Sequence, residues 1–254
     1  MARFVTAGKI IARAALELGL TKTLDIDPFS STDGHLILLA GLLTAQGREH
    51  MQAEYVWPQL KREATITTGA AEHGAAGSGE HTLPADFDRL VPATFWDRTN
   101  QRPVKLLSAL EWQALKASMT TGIGWLAARL EASYIRLYPI PPPAGWDLAY
   151  EYVSTNWVIP KDVAAGDYKA VDGGATEVVS KDDVVLFDES LMVAAIKLAF
   201  KEAKGYDTTT AKDAYDRAYD RAKVRANNPG IIDYTGGTEP DQFDVVLPAT
   251  GWGS

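Results

Sequence analysis

Histidine and carboxylate stand side by side twice within one short segment, as Glu72-His73 and Glu80-His81, using two of the four histidines in the chain. Imidazole and carboxylate together are the ligand types of Zn²⁺ and related ions. A metal site also needs a supporting shell that orients its ligands. The segment from Gly69 to His81 is rich in Gly, Ala and Ser and offers no such shell, so the pattern points to a polar, mobile loop. Gly74, Gly77 and Gly79 in the same loop do not make a phosphate cradle. That device requires a helix N-terminus and a Lys-Ser or Lys-Thr after the glycines, whereas Leu83-Pro84 follows here. Gly77-Ser78-Gly79 lacks the strand-turn-helix setting of a nucleophile elbow.

The second acidic cluster is Asp182, Asp183, Asp188 and Glu189. Such residues can hold Mg²⁺ as in a nuclease. Their place before a long helical pattern favours loop solvation and capping of that helix. His35 and His50 lie in or beside one helix and on no shared catalytic face. The chain has 0 cysteines, which excludes disulfides, thiol catalysis and Cys-type zinc. Trp57, Trp96, Trp125, Trp146 and Trp157 fall at element ends with few basic neighbours, so packing explains them better than base stacking. No catalytic, cofactor-binding or metal-binding residue is therefore assigned.

The elements that would position these groups follow from periodicity and punctuation. Thr6 is a candidate cap for a first helix ending near Leu18, with Gly19 as its stop. A run of caps from Ser30 to Asp33 opens a long helix toward Tyr55, with Leu36, Leu39, Leu43, Gly47 and Met51 on one face. Trp57-Pro58 ends that helix. Strand patterns read at Glu63–Thr68, Phe87–Trp96, Val104–Leu107, Trp125–Leu130, Tyr134–Tyr138 and Trp146–Val153. Together they suggest a meander with one inserted helix, which starts at the Ser108/Glu111 capping box and ends near Met119. Residues Ala164 to Lys181 form a polar excursion. A helix from Asp188 to Gly205 is apolar around most of its circumference. It must pack on two sides, which makes Ile196 and Phe200 candidates for a subunit contact or for cover by another helix. The last helix, after Thr208–Thr210, carries Ala211, Ala214, Ala218 and Ala222 as a small-residue stripe that allows close helix approach, flanked by Tyr215 and Tyr219, which join Ile196 and Phe200 as interface candidates.

The fold class expected is α+β: a helical bundle (residues 1–62 and 184–227) with an inserted antiparallel β-domain (63–183) and an extended C-terminal arm (228–254). The arm is broken by Pro229, Gly230, Gly236, Gly237 and Pro240, yet carries Phe243, Val245, Val246, Leu247 and Trp252. That content exceeds what a disordered tail normally holds. The arm is therefore expected to leave the subunit body and dock on another chain, by strand addition for instance, with Phe243, Val245, Val246, Leu247 and Trp252 as interface residues; the alternative is that it folds back on its own subunit.

The chain of 254 residues is 46% hydrophobic and 23% charged, with formal net charge −8. This is ordinary globular chemistry. An acidic surface argues against tight binding to a phosphate backbone but is compatible with DNA passing a surface without sticking. No apolar run reaches the roughly 18 residues of a membrane span. Arg13 and Glu17 interrupt the N-terminal apolar pattern, which argues against a signal peptide and for synthesis in a cytoplasm.

Several segments in order resemble the head-to-tail adaptor (connector) subunits of tailed bacteriophages, especially short-tailed ones. They are IIARAALELGL, VWPQLKREATI, LPADFDRLVPATFWD, IRLYPIPPPAGWDLAYEYVSTNWV, VVLFDESLMVAAIKLAFKEAKGYD and AYDRAYDRAKVRANN. The resemblance covers most of residues 5 to 227. It implies a structural virion protein at the head-tail junction, with no cofactor and no membrane contact. It further implies a homo-oligomeric ring, commonly a dodecamer, that binds the portal protein and tail or nozzle proteins and lets double-stranded DNA pass. The alternatives from other classes are a tail-associated hydrolase using the acidic residues and a carbohydrate-binding module with its tryptophans on one face.

Overall fold

The computed structural model describes residues 4–24, 26–69, 72–74, 76–117, 126–163 and 174–227. The chain opens with a two-residue strand β1 (Val5–Thr6) and helix α1 (Ala7–Glu17), then α2 (Gly34–Gln52) and a 3-10 turn at Pro58–Leu60. The β-rich stretch contains β2 (Lys61–Thr67), β3 (Glu80–Thr82), β4 (Phe87–Leu90), β5 (Trp96–Asp97), β6 (Arg102–Pro103), β7 (Lys105–Leu106), helix α3 (Ala109–Ala117), β8 (Ala127–Glu131), β9 (Tyr134–Tyr138) and β10 (Asp147–Ser154). It is followed by β11 (Val158–Ile159), β12 (Val184–Val185), α4 (Glu189–Lys204) and α5 (Thr209–Asn227). This is the expected α+β class.

The helices form where caps and apolar stripes coincide. Asp33 accepts the His35 N–H at 2.8 Å and opens α2. Asp188 accepts the Ser190 N–H at 2.9 Å and opens α4, which closes on Gly205 in the left-handed conformation. Ser108 and Glu111 make the expected reciprocal capping box ahead of α3. Thr6 stands at the cap position of α1, but its side chain makes no capping bond. The orphan N–H groups of Ala7 and Gly8 instead donate to the carbonyls of Asp183 and Lys181, each at 2.8 Å.

Two cores result. The first gathers Ile10 and Ile11 of α1, Leu39 and Leu43 of α2, Leu191 and Ile196 of α4, and the rings of Trp57, Trp157 and Phe187. The small sheet β1-β12-β11 closes it. The second gathers Ile66, Leu126, Ile135, Leu137, Leu148 and Tyr150 between two sheets. In one of them β10 pairs with β2 along seven residue pairs and with β4 and β5 on its other edge. The other has the order β3-β9-β8-β7. Asp86 links β-elements by accepting from Tyr152 Oη at 2.9 Å and Ser154 Oγ at 2.6 Å, with Arg62 at 3.3 Å.

The structure corrects the sequence reading in several places. The single strand expected over Phe87–Trp96 is two, because Pro92 and Ala93, the latter with φ 60°, turn the chain between them. Val104–Leu107 is not one strand. Arg102–Pro103 pairs with β5, while Lys105–Leu106 pairs in parallel with β8 across α3. The β-part is thus no simple meander. The loop expected from Gly69 to His81 ends in a strand, β3, laid on β9. Helix α2 stops at Gln52, short of Tyr55, where Ala53 turns to ψ 154°. Within the polar excursion, residues 174–181 are packed: Ala175 bridges Val158, and Val178 is buried. Trp125, Met119, residues 164–173 and the arm from 228 lie outside the described residues.

Gly47 shows how closely the two halves of the chain approach. A methyl group on it would lie 2.3 Å from the Trp157 ring, whereas nothing lies within 4 Å of such a group on Gly41 in the same helix. Gly47→Ala should therefore cost about 2 kcal/mol through overpacking, lowering the thermal midpoint by roughly 5 °C. Gly41→Ala should raise stability by about 0.5–1 kcal/mol through helix propensity alone. Urea denaturation of the two variants checks both signs.

Candidate interaction surface

The residues with chemical potential are dispersed and spoken for. Glu80 and His81 are neighbours on β3, and successive strand residues face opposite sides of a sheet. Glu80 faces outward, where Arg136 and His73 reach it, the latter at 3.4 Å. The His73 ring stacks on Tyr134 with centroids 5.5 Å apart. His81 faces inward and is buried opposite Ile135. Burial pushes its pKa down, against the pull of the Glu72 carboxylate. Glu72 itself accepts the Gly77 N–H. The two Glu-His pairs therefore do not converge on one point. Among the described residues, no group of three or more His, Asp or Glu side chains is placed to hold a metal.

The second acidic cluster is consumed by the backbone and by arginines. Asp183 is buried and accepts N–H groups of Lys161, Val179 and Ser180 at 3.1, 2.8 and 2.7 Å. Asp188 caps α4 and also accepts from Arg225 of α5 at 2.8 Å. Burial alone would raise its pKa, but the Ser190 and Arg225 hydrogen bonds outweigh it and hold the carboxyl below its usual range. Glu189 pairs with Arg13 of α1 at 2.7 Å. Asp188 and Glu189 thus fasten helices, as the capping reading expected, while Asp183 holds loop amides and Asp182 is exposed.

Ile196 and Phe200, named as contact candidates, are buried within the subunit at 0% and 3% exposure. The cover comes from α1, α2 and α5, all of which pack on α4. No second chain is needed to bury them. Tyr215 and Tyr219 are half-buried and stack on each other with centroids 6.0 Å apart. Phe243, Val245, Val246, Leu247 and Trp252 lie outside the described residues.

Sequence reasoning missed the role of His50. It is buried in the joint between α2 and α5. Its Nδ1–H donates to the Gln46 carbonyl at 2.6 Å, which leaves Nε2 to accept the Tyr215 hydroxyl at 3.2 Å. Phe187, Tyr215 and Tyr219 surround the ring. Trp57 Nε1 donates to the His50 carbonyl at 3.0 Å and packs edge-on against Phe187 and Tyr219. Burial pushes the Tyr215 hydroxyl up to about 12, so it remains a donor. The only sequence signal was a histidine at helical spacing from the buried positions Leu43 and Gly47.

Grooves mark the outer surface of both the β-part and the helical body among the described residues. One, of about 590 Å³, runs along β5 and β10 between Trp96, Arg98, Ala149 and Glu151. A second, of about 500 Å³, lies at the C-terminal end of α5 against β1 and the start of α4. In the second, the Ser190 hydroxyl donates to Asp188, a carboxylate already occupied as the cap of α4 and as the partner of Arg225. No described helix is long and apolar enough to cross a membrane.

The described body is one of interlocked helices and small sheets, with Asp33 and Asp188 serving as helix caps. The model of the SU10 adaptor protein family matches residues 5–233. The chain belongs to that family and is a phage structural adaptor protein. No curated protein matches it.

The His50 joint makes stability depend on pH. Burial holds the folded-state pKa of His50 below its ordinary 6.5, outweighing the Gln46 bond and the Glu49 charge that pull the other way. The unfolded chain thus takes up the proton first. This contribution is complete above pH 6.5 and is lost as pH falls below it, at up to about 1.4 kcal/mol per pH unit. Denaturation midpoints of the wild type and His50→Gln, compared from pH 7.5 to 5, should converge as the pH drops.

Proposed function

We propose that this adaptor is the subunit of a homo-oligomeric ring, twelve copies in number, joining the portal to the tail of a short-tailed phage. Double-stranded DNA passes through the centre of the ring. In this reading the protein is made in the host cytoplasm and resides at the head-tail junction of the virion, where it meets the portal protein and tail or nozzle proteins. The observation that carries the reading is the family match over residues 5–233.

The parts divide the work. Helical segments 1–62 and 184–227 form the ring body, and the β-domain 63–183 presents surfaces to neighbouring components. The arm 228–254 docks on a neighbour or on the portal through Phe243, Val245, Val246, Leu247 and Trp252. Tyr215 and Tyr219 stiffen the helix that launches the arm. Ile196 and Phe200 support the contact from beneath by fixing α4. Burying Trp252 and the Val-Val-Leu cluster contributes on the order of 2–3 kcal/mol each, offset by the ordering of the arm. Repetition around a ring turns a small surplus per arm into firm attachment. With net charge −8 per chain, the ring does not adhere to the duplex that threads it.

Truncation after Asn227 should leave a folded body that no longer joins the ring or portal, as read by native mass spectrometry and negative-stain imaging with and without portal. Normal assembly of the truncated chain, or its failure to fold, contradicts the arm's role. The intact ring should bind duplex DNA weakly and lose it at moderate salt in an anisotropy titration. Tight or sequence-specific binding contradicts the proposed passage.

A further inference from the structure

The groove at the C-terminal end of α5 has the chemistry of a peptide seat. Trp57, Ala222 and Ala226 supply apolar wall, Gln59 lines the same space, and the lining charges are Arg13, Arg221 and Arg225 against Asp188 and Glu189, with Arg13 paired to Glu189. The Gln59 Oε1 atom is buried without a hydrogen-bond partner among the described residues. A buried carbonyl oxygen calls for an N–H donor, which a peptide backbone has and a simple anion lacks. Arg225 is engaged by Asp188 at 2.8 Å. Arg221 is exposed and has no carboxylate partner among the described residues.

The chain leaves α5 beside this groove, and the residues next in sequence have a fitting composition. Helix α5 ends at Asn227, one residue beyond the lining residue Ala226. Asn228-Pro229-Gly230 follows, a sequence of turn formers. Next come Ile231, Ile232, Asp233 and Tyr234, before the breakers Gly236 and Gly237. The arm bears Asp233, Glu239, Asp241 and Asp244 and no Lys, Arg or His, so its charge complements Arg221, while the lining carboxylates Asp188 and Glu189 are already paired with Arg225 and Arg13. The family match continues past α5 through residues 228–233 and stops there. That boundary groups this short stretch with the body and leaves the rest of the arm outside it.

We propose that residues Ile231–Tyr234 turn back and seat in this groove of their own subunit. The isoleucines lie against Trp57, Ala222 and Ala226, Asp233 pairs with Arg221, and a backbone N–H of the segment donates to Gln59. The own chain is favoured as occupant because a three-residue turn gives it a far higher effective concentration than a neighbouring copy. Only the chain beyond Tyr234 is then free to reach another subunit. The seat is a property of the isolated subunit and does not depend on ring formation.

A chain with 0 cysteines makes the test clean. Arg221→Cys is paired with Asp233→Cys or with Tyr234→Cys in the full-length protein, with Arg221→Cys/Asp241→Cys as the distal control. Oxidation should convert at least one proximal pair to an internally bridged monomer on non-reducing gels, with loss of free thiol. It should do so about tenfold faster than the control, since a disulfide needs closely apposed Cα atoms. Adding Ile232→Asp should slow that bridging by about tenfold, the factor for losing one buried aliphatic side chain. Proximal pairs no faster than the control, or indifferent to Ile232→Asp, indicate random collision of a loose arm and overturn the seat. Disulfide-linked dimers from the proximal pairs assign the groove to a neighbour's arm and overturn it equally. Ring or portal binding is measured separately with Trp252→Ala, so failure of the adaptor reading leaves this result standing.

Discussion

The packing of Trp157 onto Gly47 is the constraint around which the helical body is arranged. The indole has no accessible surface, and its ring occupies the space a side chain on α2 would need. It sits just after the long strand β10, so it delivers the end of the β-part into the helices. Its Nε1 donates to the Thr176 carbonyl at 3.0 Å, which holds the segment leading to β12. Phe187, immediately before the α4 cap, packs on the same ring and on Trp57. Through β12 the constraint reaches β1, whose pairing with Val184 and Val185 orients α1. One aromatic contact thus ties residues at both ends of the described chain to its middle.

Much of the helical body was legible because its signals are local. Asp33 and Asp188 as caps, Gly205 as a stop, and the Ser108/Glu111 box all depend on residues within one turn. The apolar circumference of α4 correctly implied neighbours on more than one side, but composition could not reveal that the neighbours are α1, α2 and α5. The β-part was read less well. Strands β1, β5, β6, β7, β11 and β12 have two residues each, too few for alternation to register. Their pairing is dictated by partners far away in sequence, such as β1 with β12 and β7 with β8. Glu80 and His81 read as loop in sequence because their glycine-rich surroundings dominate the window, while what makes them part of a strand is the edge of β9 across from them.

The candidate chemistry illustrates the same divide. Sequence proximity suggested that Glu-His pairs and acidic runs act together. In space, the alternation of β3 sends Glu80 and His81 to opposite faces. Asp183 and Asp188 are separated in task, one serving loop amides and the other joining two helices. His50 went the other way. Sequence offered no reason to single it out, yet burial and the Tyr215 hydroxyl make it the polar centre of the α2–α5 joint. Buried polar groups of this kind are satisfied by long-range partners, which a reading by spacing cannot supply.

Helices α4 and α5 are joined by a short turn at Gly205 and run in opposite directions, so Asp188 at the start of one meets Arg225 near the end of the other. Whatever lies beyond Asn227 is attached at this point. Tension applied there along the axis of α5 runs parallel to its contact with α4. Many side chains must slide past one another together before the helix yields. A load entering from the opposite side of the hairpin, across the axis, would separate the same contacts one by one. The joint is therefore mechanically directional: strong in shear along α5 and weak in peel across it.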